Sequence, residues 1–175
     1  GFSIGGMINR RFALDFPERL SALAILNSPH DRGEAAQVMV EDRAAQVREQ
    51  GTMSTLPDAL VRWFTPAFLA DHPDTVDLVR QWRQQVDAEG YPQTAWVLAN
   101  GVRELIRPPQ PVTAPTLVMT SENDSGSTPA MAHAIAAEIS GAHTHIVPHL
   151  QHLGLMEDPE AFARPTLDFL KRTVT

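Results

Sequence analysis

The chain of 175 residues contains no cysteine, which excludes disulfides and thiolate-ligated metal sites. That fits a cytosolic protein, and a cysteine-free secreted enzyme fits it as well. No apolar run approaches the roughly 20 residues needed to cross a bilayer, and no signal-peptide pattern is visible in these residues. Lys and Arg nowhere cluster, and the formal net charge is −7, so neither nucleic acid nor a membrane surface is the expected partner. Repeats and low-complexity segments are lacking too. Nor does the chain start with Met. It opens on Gly1, inside a motif that ought to follow a strand, and the expectation is that this strand and everything before it lie outside the sequence.

What is present is ordinary in bulk. Hydrophobic residues make up 43% and charged residues 20%, the balance of a globular domain long enough to bury one substantial core. Met7 to Phe16 carries Ile8, Phe12 and Phe16 at four-residue spacing, which predicts a helix with that stripe buried, stopped by Pro17. Leu20–Asn27 is a short apolar run closed by Ser28-Pro29 and reads as a buried strand. Between Gly33 and Pro109 the pattern turns helical, in pieces at 34–50, 56–64, 74–89 and 91–105 separated by Gly and Pro. Strands are predicted again at 115–120 and 143–147. Helices follow at 129–139, with Thr128 as N-cap, and from Asp158-Pro159 to Lys171, kinked or restarted at Pro165. Alternation of this kind implies an α/β fold, a parallel sheet covered by helices.

The pattern G-x-S-x-G at Gly1–Gly5 is that of a nucleophile elbow, a sharp strand-to-helix turn that presents a serine hydroxyl. Gly1 and Gly5 are the positions where strand and helix are expected to approach closely. The motif is short, and its weight depends on an acid and a histidine downstream. A serine hydroxyl becomes a nucleophile only when a base takes its proton and a third group orients that base. Asp124 follows the strand at 115–120, and His152 follows the strand at 143–147. Both lie past strand C-termini, the edge where open α/β sheets place their sites. The order Ser3, Asp124, His152 is the one expected for an α/β-hydrolase.

From these residues the chain resembles the C-terminal two-thirds of an α/β-hydrolase, from nucleophile elbow to final helix. The likeness rests on GFSIGG, on FPERL before the next strand, on APTLVMTSENDSGSTP around the acid and on QHLGLMEDPEAF around the histidine. Ser121 stands where glycine is common in the family. The pattern H-x-x-x-x-E-x-P-x-x-F falls on His152, Glu157, Pro159 and Phe162. ILNSP, Gly51, the run Arg62-Trp63-Phe64-Thr65-Pro66 and Gly90-Tyr91 are similar to 3-oxoadipate enol-lactonases and related small esterases. Val40 and the stretch Ala99–Val102 depart from that subfamily, so ester or lactone hydrolysis is the expectation.

The resemblance implies residues 1–32 and 110–175 as an incomplete α/β-hydrolase core, with 33–109 as a helical cap. It implies Ser3, Asp124 and His152 as a triad, the backbone N–H of Ile4 as one oxyanion donor, and a second donor upstream of the elbow. Arg62, Trp63 and Tyr91 are candidate pocket residues, with Arg62 a candidate for a substrate carboxylate. No cofactor and no metal are required, and the implied partner is a small-molecule substrate in the cytoplasm. Asp31 and Glu122 are alternative acids and His149 an alternative base. His143, His145, His149 and His152 lack the carboxylates or regular spacing of a metal site. The same triad also serves C–C bond hydrolysis or cofactor-free perhydrolysis, and the fold also serves as a non-catalytic ligand receptor. Taken alone, the chain is expected to leave the apolar edge of Leu20–Asn27 unpaired, to aggregate and to be nearly inactive.

Overall fold

In the computed structural model, residues 1–174 are described. Three parallel strands form one sheet in the order β1 (Leu23–Leu26), β2 (Thr116–Ser121), β3 (His143–Val147). Leu23 is paired with Thr116, and Leu117 with His143. Helix α1 (Ile4–Asp15) precedes β1. Five helices then separate β1 from β2: α2 (Gly33–Gln50), α3 (Leu56–Trp63), α4 (Pro66–Asp71), α5 (Pro73–Gln85) and α6 (Gly90–Asn100). Helix α7 (Pro129–Ala137) crosses from β2 to β3, and α8 (Gly154–Glu157) and α9 (Pro159–Thr173) close the chain.

The period-two alternation of strands sorts the core into two faces. Leu23, Ile25 and Val118 pack with Ala13 of α1 and Ala132 and Ile135 of α7. Leu117 and Met119, pointing the other way, pack with Val147 and with Phe162 and Phe169 of α9. With helices on both faces every residue of β2 is buried, as expected of a central parallel strand. Helices α3 and α5 bury a separate cluster of Leu56, Leu60, Phe64, Val76 and Val79.

Among the described residues, β1 pairs on its outer edge only with the segment Gly1–Ser3. Phe2 bridges Leu26 in parallel, Ser3 N–H donates to Leu26 O at 2.8 Å, and Leu26 N–H donates to Gly1 O at 2.9 Å. This strand is shorter than its apolar run, because Leu20–Ala22 continue out of a 3₁₀ turn at Pro17–Arg19.

The stripe expected on α1 is turned the wrong way. Ile8, Phe12 and Phe16 are 61%, 43% and 48% exposed, whereas Gly6, Met7, Arg10 and Ala13 face inward. Arg10 can be buried because its guanidinium donates to the carbonyls of Pro29 (3.1 Å) and Leu105 (2.5 Å). Burial pushes its pKa down to about 10, although Glu138 acts in the opposite sense. Sequence periodicity treats arginine as a marker of the wet face and cannot foresee carbonyl partners on distant loops. Helices α4 and α8 are also additions to the expected elements. Thr128 and Asp158 cap α7 and α9 through bonds from Met131 and Ala161 N–H, and α9 runs through Pro165 without a break.

Candidate active site

The site is assembled at the C-terminal ends of the strands. Ser3 is the residue before α1, with φ 55° and ψ −119°, a strained conformation for a side chain with a Cβ. Hydrogen bonds on both sides hold it there: Ser3 N–H to Leu26 O, Gly5 N–H to Phe2 O, and Gly6 N–H to Ser3 O. The close approaches fall partly where expected. A Cβ at Gly1 would overlap the backbone of Gly5, but a Cβ at Gly5 itself would meet nothing within 4 Å. The second crowded position is Gly6, where a Cβ would strike Ser28. The α1–β1 contact is therefore set one residue further along than the motif suggests. Ile4 is the first residue of α1, so its N–H has no acceptor within the helix and points with the positive end of the helix dipole.

His152 lies in the loop between β3 and α8, its ring against Phe2 at a centroid distance of 5.1 Å and Trp63 at 6.3 Å. Its Nε2 is 3.1 Å from Ser3 Oγ, and its Nδ1 is 2.7 Å from Asp124 Oδ2. Three residues spread over nearly the whole chain thus form one hydrogen-bonded line. Asp124 is 2% exposed. Its Oδ1 accepts from the N–H groups of Gly126 and Ser127, each at 2.9 Å. Burial works to raise its pKa, but the bonds from His152, Asn27 and Ser127 and the charge on His152 outweigh it and hold the carboxyl below its ordinary value.

The alternative groups lie elsewhere. Asp31 is exposed and accepts from Gly33 N–H at the start of α2. Glu122 accepts from the N–H of His149, whose side chain is 91% exposed. His143 and His145 are exposed on β3. Among the described residues no group of three or more His, Cys, Asp or Glu is placed to hold a metal ion.

A cavity of about 160 Å³ opens over Ser3, His152 and Asp124. Arg62, Trp63 and Tyr91 line it, and so do Arg32, Arg43 and Arg83. Four arginines and one carboxylate make this a positive pocket in a negatively charged chain. Two of the arginines are structural ties. Arg32 donates to the carbonyls of Leu98 and Ala99, and Arg83 to Thr52 O and Thr55 Oγ1 with its guanidinium 3.8 Å from the centre of the Tyr91 ring. Burial lowers both to about 10. Arg43 and Arg62 make no hydrogen bond or ion pair among the described residues. Burial and then the charge of Arg43 push Arg62 below its ordinary pKa. The helices that carry these residues are latched to the histidine loop: Leu153 N–H donates to Trp63 O at 2.8 Å, and the Glu157 carboxylate accepts from Thr65 N–H and Oγ1.

Sequence reading missed Asn27 as a site residue. It directly follows β1 with φ 45° and no exposed surface, and its Nδ2 donates to Asp124 Oδ2 at 2.9 Å and Ser121 Oγ at 3.1 Å. The available signal was a polar residue at the C-terminal end of an apolar strand. Arg43 gave no signal, since on α2 it is one charge among many.

A family model described as "Alpha/beta hydrolase family" matches residues 1–164. The curated protein "3-oxoadipate enol-lactonase 2" of Acinetobacter baylyi is 31% identical over 98% of this chain and 62% of its own length. A second A. baylyi protein, "(E)-2-((N-methylformamido)methylene)succinate hydrolase", is 24% identical over 99% of this chain and 64% of its own. The crystal structure of the enol-lactonase from Burkholderia xenovorans LB400 superposes with a TM-score of 0.85 at 25% identity, covering 98% of this chain and 64% of that one. The chain therefore spans a little under two thirds of the length of the relatives it matches.

Proposed function

Since the chain belongs to the alpha/beta hydrolase family, we propose that it carries the catalytic residues of a serine hydrolase acting on a small carboxylic ester or lactone. The observation that carries this reading is the line Ser3 Oγ–His152 Nε2, His152 Nδ1–Asp124 Oδ2, at 3.1 and 2.7 Å beneath the cavity. Ser3 Oγ attacks the acyl carbon as His152 takes its proton, and Asp124 orients the ring and stabilises the imidazolium. The carbonyl oxygen becomes an oxyanion facing the Ile4 N–H. His152 then gives its proton to the leaving alkoxide, which departs and leaves an acyl-serine. Water, deprotonated by His152, attacks that ester and returns Ser3. The steps balance without a cofactor.

The arginines support an anionic substrate. Arg62, with Arg43 beside it, offers an unpaired guanidinium to a carboxylate, while Trp63 and Tyr91 flank the cavity. The names of both curated relatives refer to dicarboxylic acids, an adipate and a succinate, which agrees with that reading. Residues 33–109 then act as the cap that supplies substrate contacts, over a core of 1–32 and 110–175. Among the described residues no helix is long and apolar enough to cross a membrane.

The test is labelling of the full-length protein with a fluorophosphonate, together with turnover of an aryl ester. Labelling at Ser3 that disappears in Ser3→Ala, with loss of roughly 10⁴-fold or more in turnover, supports the reading. A wild-type protein that neither labels nor turns over any ester or lactone overturns it.

A further inference from the structure

Every lone-pair direction of the Asp124 carboxylate is occupied. Oδ1 is fixed within its own turn by the N–H groups of Gly126 and Ser127. Oδ2, the oxygen that faces the imidazole, is held by one other group besides His152: the amide of Asn27, 97 residues away in sequence. Asn27 is itself anchored, its N–H donating to Met119 O at 2.8 Å and extending the β1–β2 ladder by one residue.

This arrangement is costly to the fold. The backbone of Asn27 is in the left-handed region, which asparagine tolerates better than other residues but glycine tolerates best. Among the described residues its buried Oδ1 has no hydrogen-bond partner, a loss of stability. Turning the amide over would not cure this, because it would set the oxygen against the Asp124 carboxylate. Only the observed orientation aims both N–H bonds at Ser121 and Asp124. A strained, half-satisfied amide kept beside a catalytic-type carboxylate is the signature of a functional constraint rather than a packing one.

We propose that Asn27 is a positioning residue of the site, holding Asp124 Oδ2 at the angle His152 Nδ1 requires and sharing the charge that would otherwise concentrate on that oxygen. It touches neither substrate nor the reacting atoms and acts through Asp124. The residue type follows from the role. The site needs a side chain that accepts φ 45°, donates two hydrogen bonds and carries no charge, and asparagine alone among the common residues meets all three. The charged groups that face the carboxylate are His152, in contact, and Arg62, whose charge reaches it across the cavity. The inference rests on the serine-hydrolase reading for its kinetic arm but not for its spectroscopic one.

Two substitutions in the full-length protein separate positioning from packing. Asn27→Gly suits the left-handed backbone and removes the amide together with its orphan oxygen. Asn27→Asp keeps the shape and sets a second carboxylate against Asp124. With an aryl ester, Asn27→Gly is expected to lower kcat roughly tenfold, a fraction of the roughly 10²–10⁴ that a positioned base supplies. KM and thermal stability should stay close to wild type. The acid limb of the kcat/KM profile should move to higher pH in the order wild type, Gly, Asp, by roughly one unit or more for Asp, since more negative charge then faces the protonated ring. The far-downfield proton shared by His152 Nδ1 and Asp124 should shift in both variants. If Asn27→Gly keeps the wild-type kcat, acid limb and downfield resonance, Asn27 serves only its turn and the proposal falls. If the wild type neither labels nor turns over, the serine-hydrolase reading falls, and the resonance alone decides on Asn27: a shift upholds its contact, an unchanged signal overturns it.

Discussion

The two halves of the cavity are built on different physics. The strand-end half, with Ser3, Asn27, Asp124 and His152, is fixed by hydrogen bonds, several of them to backbone, and by two residues in left-handed conformations. In the helical half, Trp63 packs against the apolar cluster around Phe64, Tyr91 lies under the Arg83 guanidinium, and Arg43 and Arg62 make no hydrogen bond or ion pair among the described residues. Backbone hydrogen bonds tolerate little displacement, so the first half suits bond-breaking geometry. On the proposed reading, the second half serves substrate choice, since the side chains it presents to the cavity are not the ones that hold the strand-end geometry. Arg32 and Arg83 also line the cavity, but they are bound to carbonyls and so tie the helical half together.

This contrast breaks first, and most widely, at Asp124. Asp124→Asn is expected to reduce aryl-ester turnover about 10⁴-fold while the protein remains folded by circular dichroism, because the imidazole loses the partner that fixes its tautomer. A reduction of less than tenfold would remove Asp124 from the site. Next in size is Phe64→Ala, which empties a fully buried position in the helical cluster. It should cost about 3–5 kcal/mol in a denaturant titration, and a cost below about 1 kcal/mol would mean that the helical half is not held by this cluster.

Arg62→Gln sharpens the division of labour. The ratio of kcat/KM for an aryl hemiester of a dicarboxylic acid to that for a neutral aryl ester should fall about tenfold, with fluorophosphonate labelling of Ser3 unchanged. Equal losses on both esters would move Arg62 from substrate choice into the chemistry. The smallest effect is on pH stability. The Asp124 carboxyl titrates below its ordinary value in the folded state, so its contribution is present above the ordinary carboxylate range and is lost as pH falls through the depressed value. Melting temperature should therefore decline more steeply in acid for the wild type than for Asp124→Asn, and parallel curves would show that Asp124 has no part in acid unfolding.

Much of the architecture was legible because it is local. Strands at Thr116–Ser121 and His143–Val147, the caps Thr128 and Asp158, and the long helices between β1 and β2 follow from short-range periodicity and capping chemistry. Helix α1 shows where that stops. Its length was readable but its buried face was not, because residues 8, 12 and 16 form as regular a stripe as residues 6, 10 and 13. The choice between them was made by Leu105 and Pro29 carbonyls that accept from Arg10. Gly6 displaced Gly5 as a crowded glycine for the same reason, since Ser28 approaches from another element.

By itself the sequence determined the alternation that makes a parallel sheet, and the presence of a serine, an acid and a histidine in order, with the acid and the histidine each past a strand end. Those are properties of neighbours along the chain. Tertiary structure alone decided that the three meet within hydrogen-bond distance, that Asn27 donates to the acid, and that of the four cavity arginines two are tied and two make no hydrogen bond among the described residues. Each of those depends on partners tens of residues apart, whose positions are fixed by how helices and strands pack and by nothing in their local sequence.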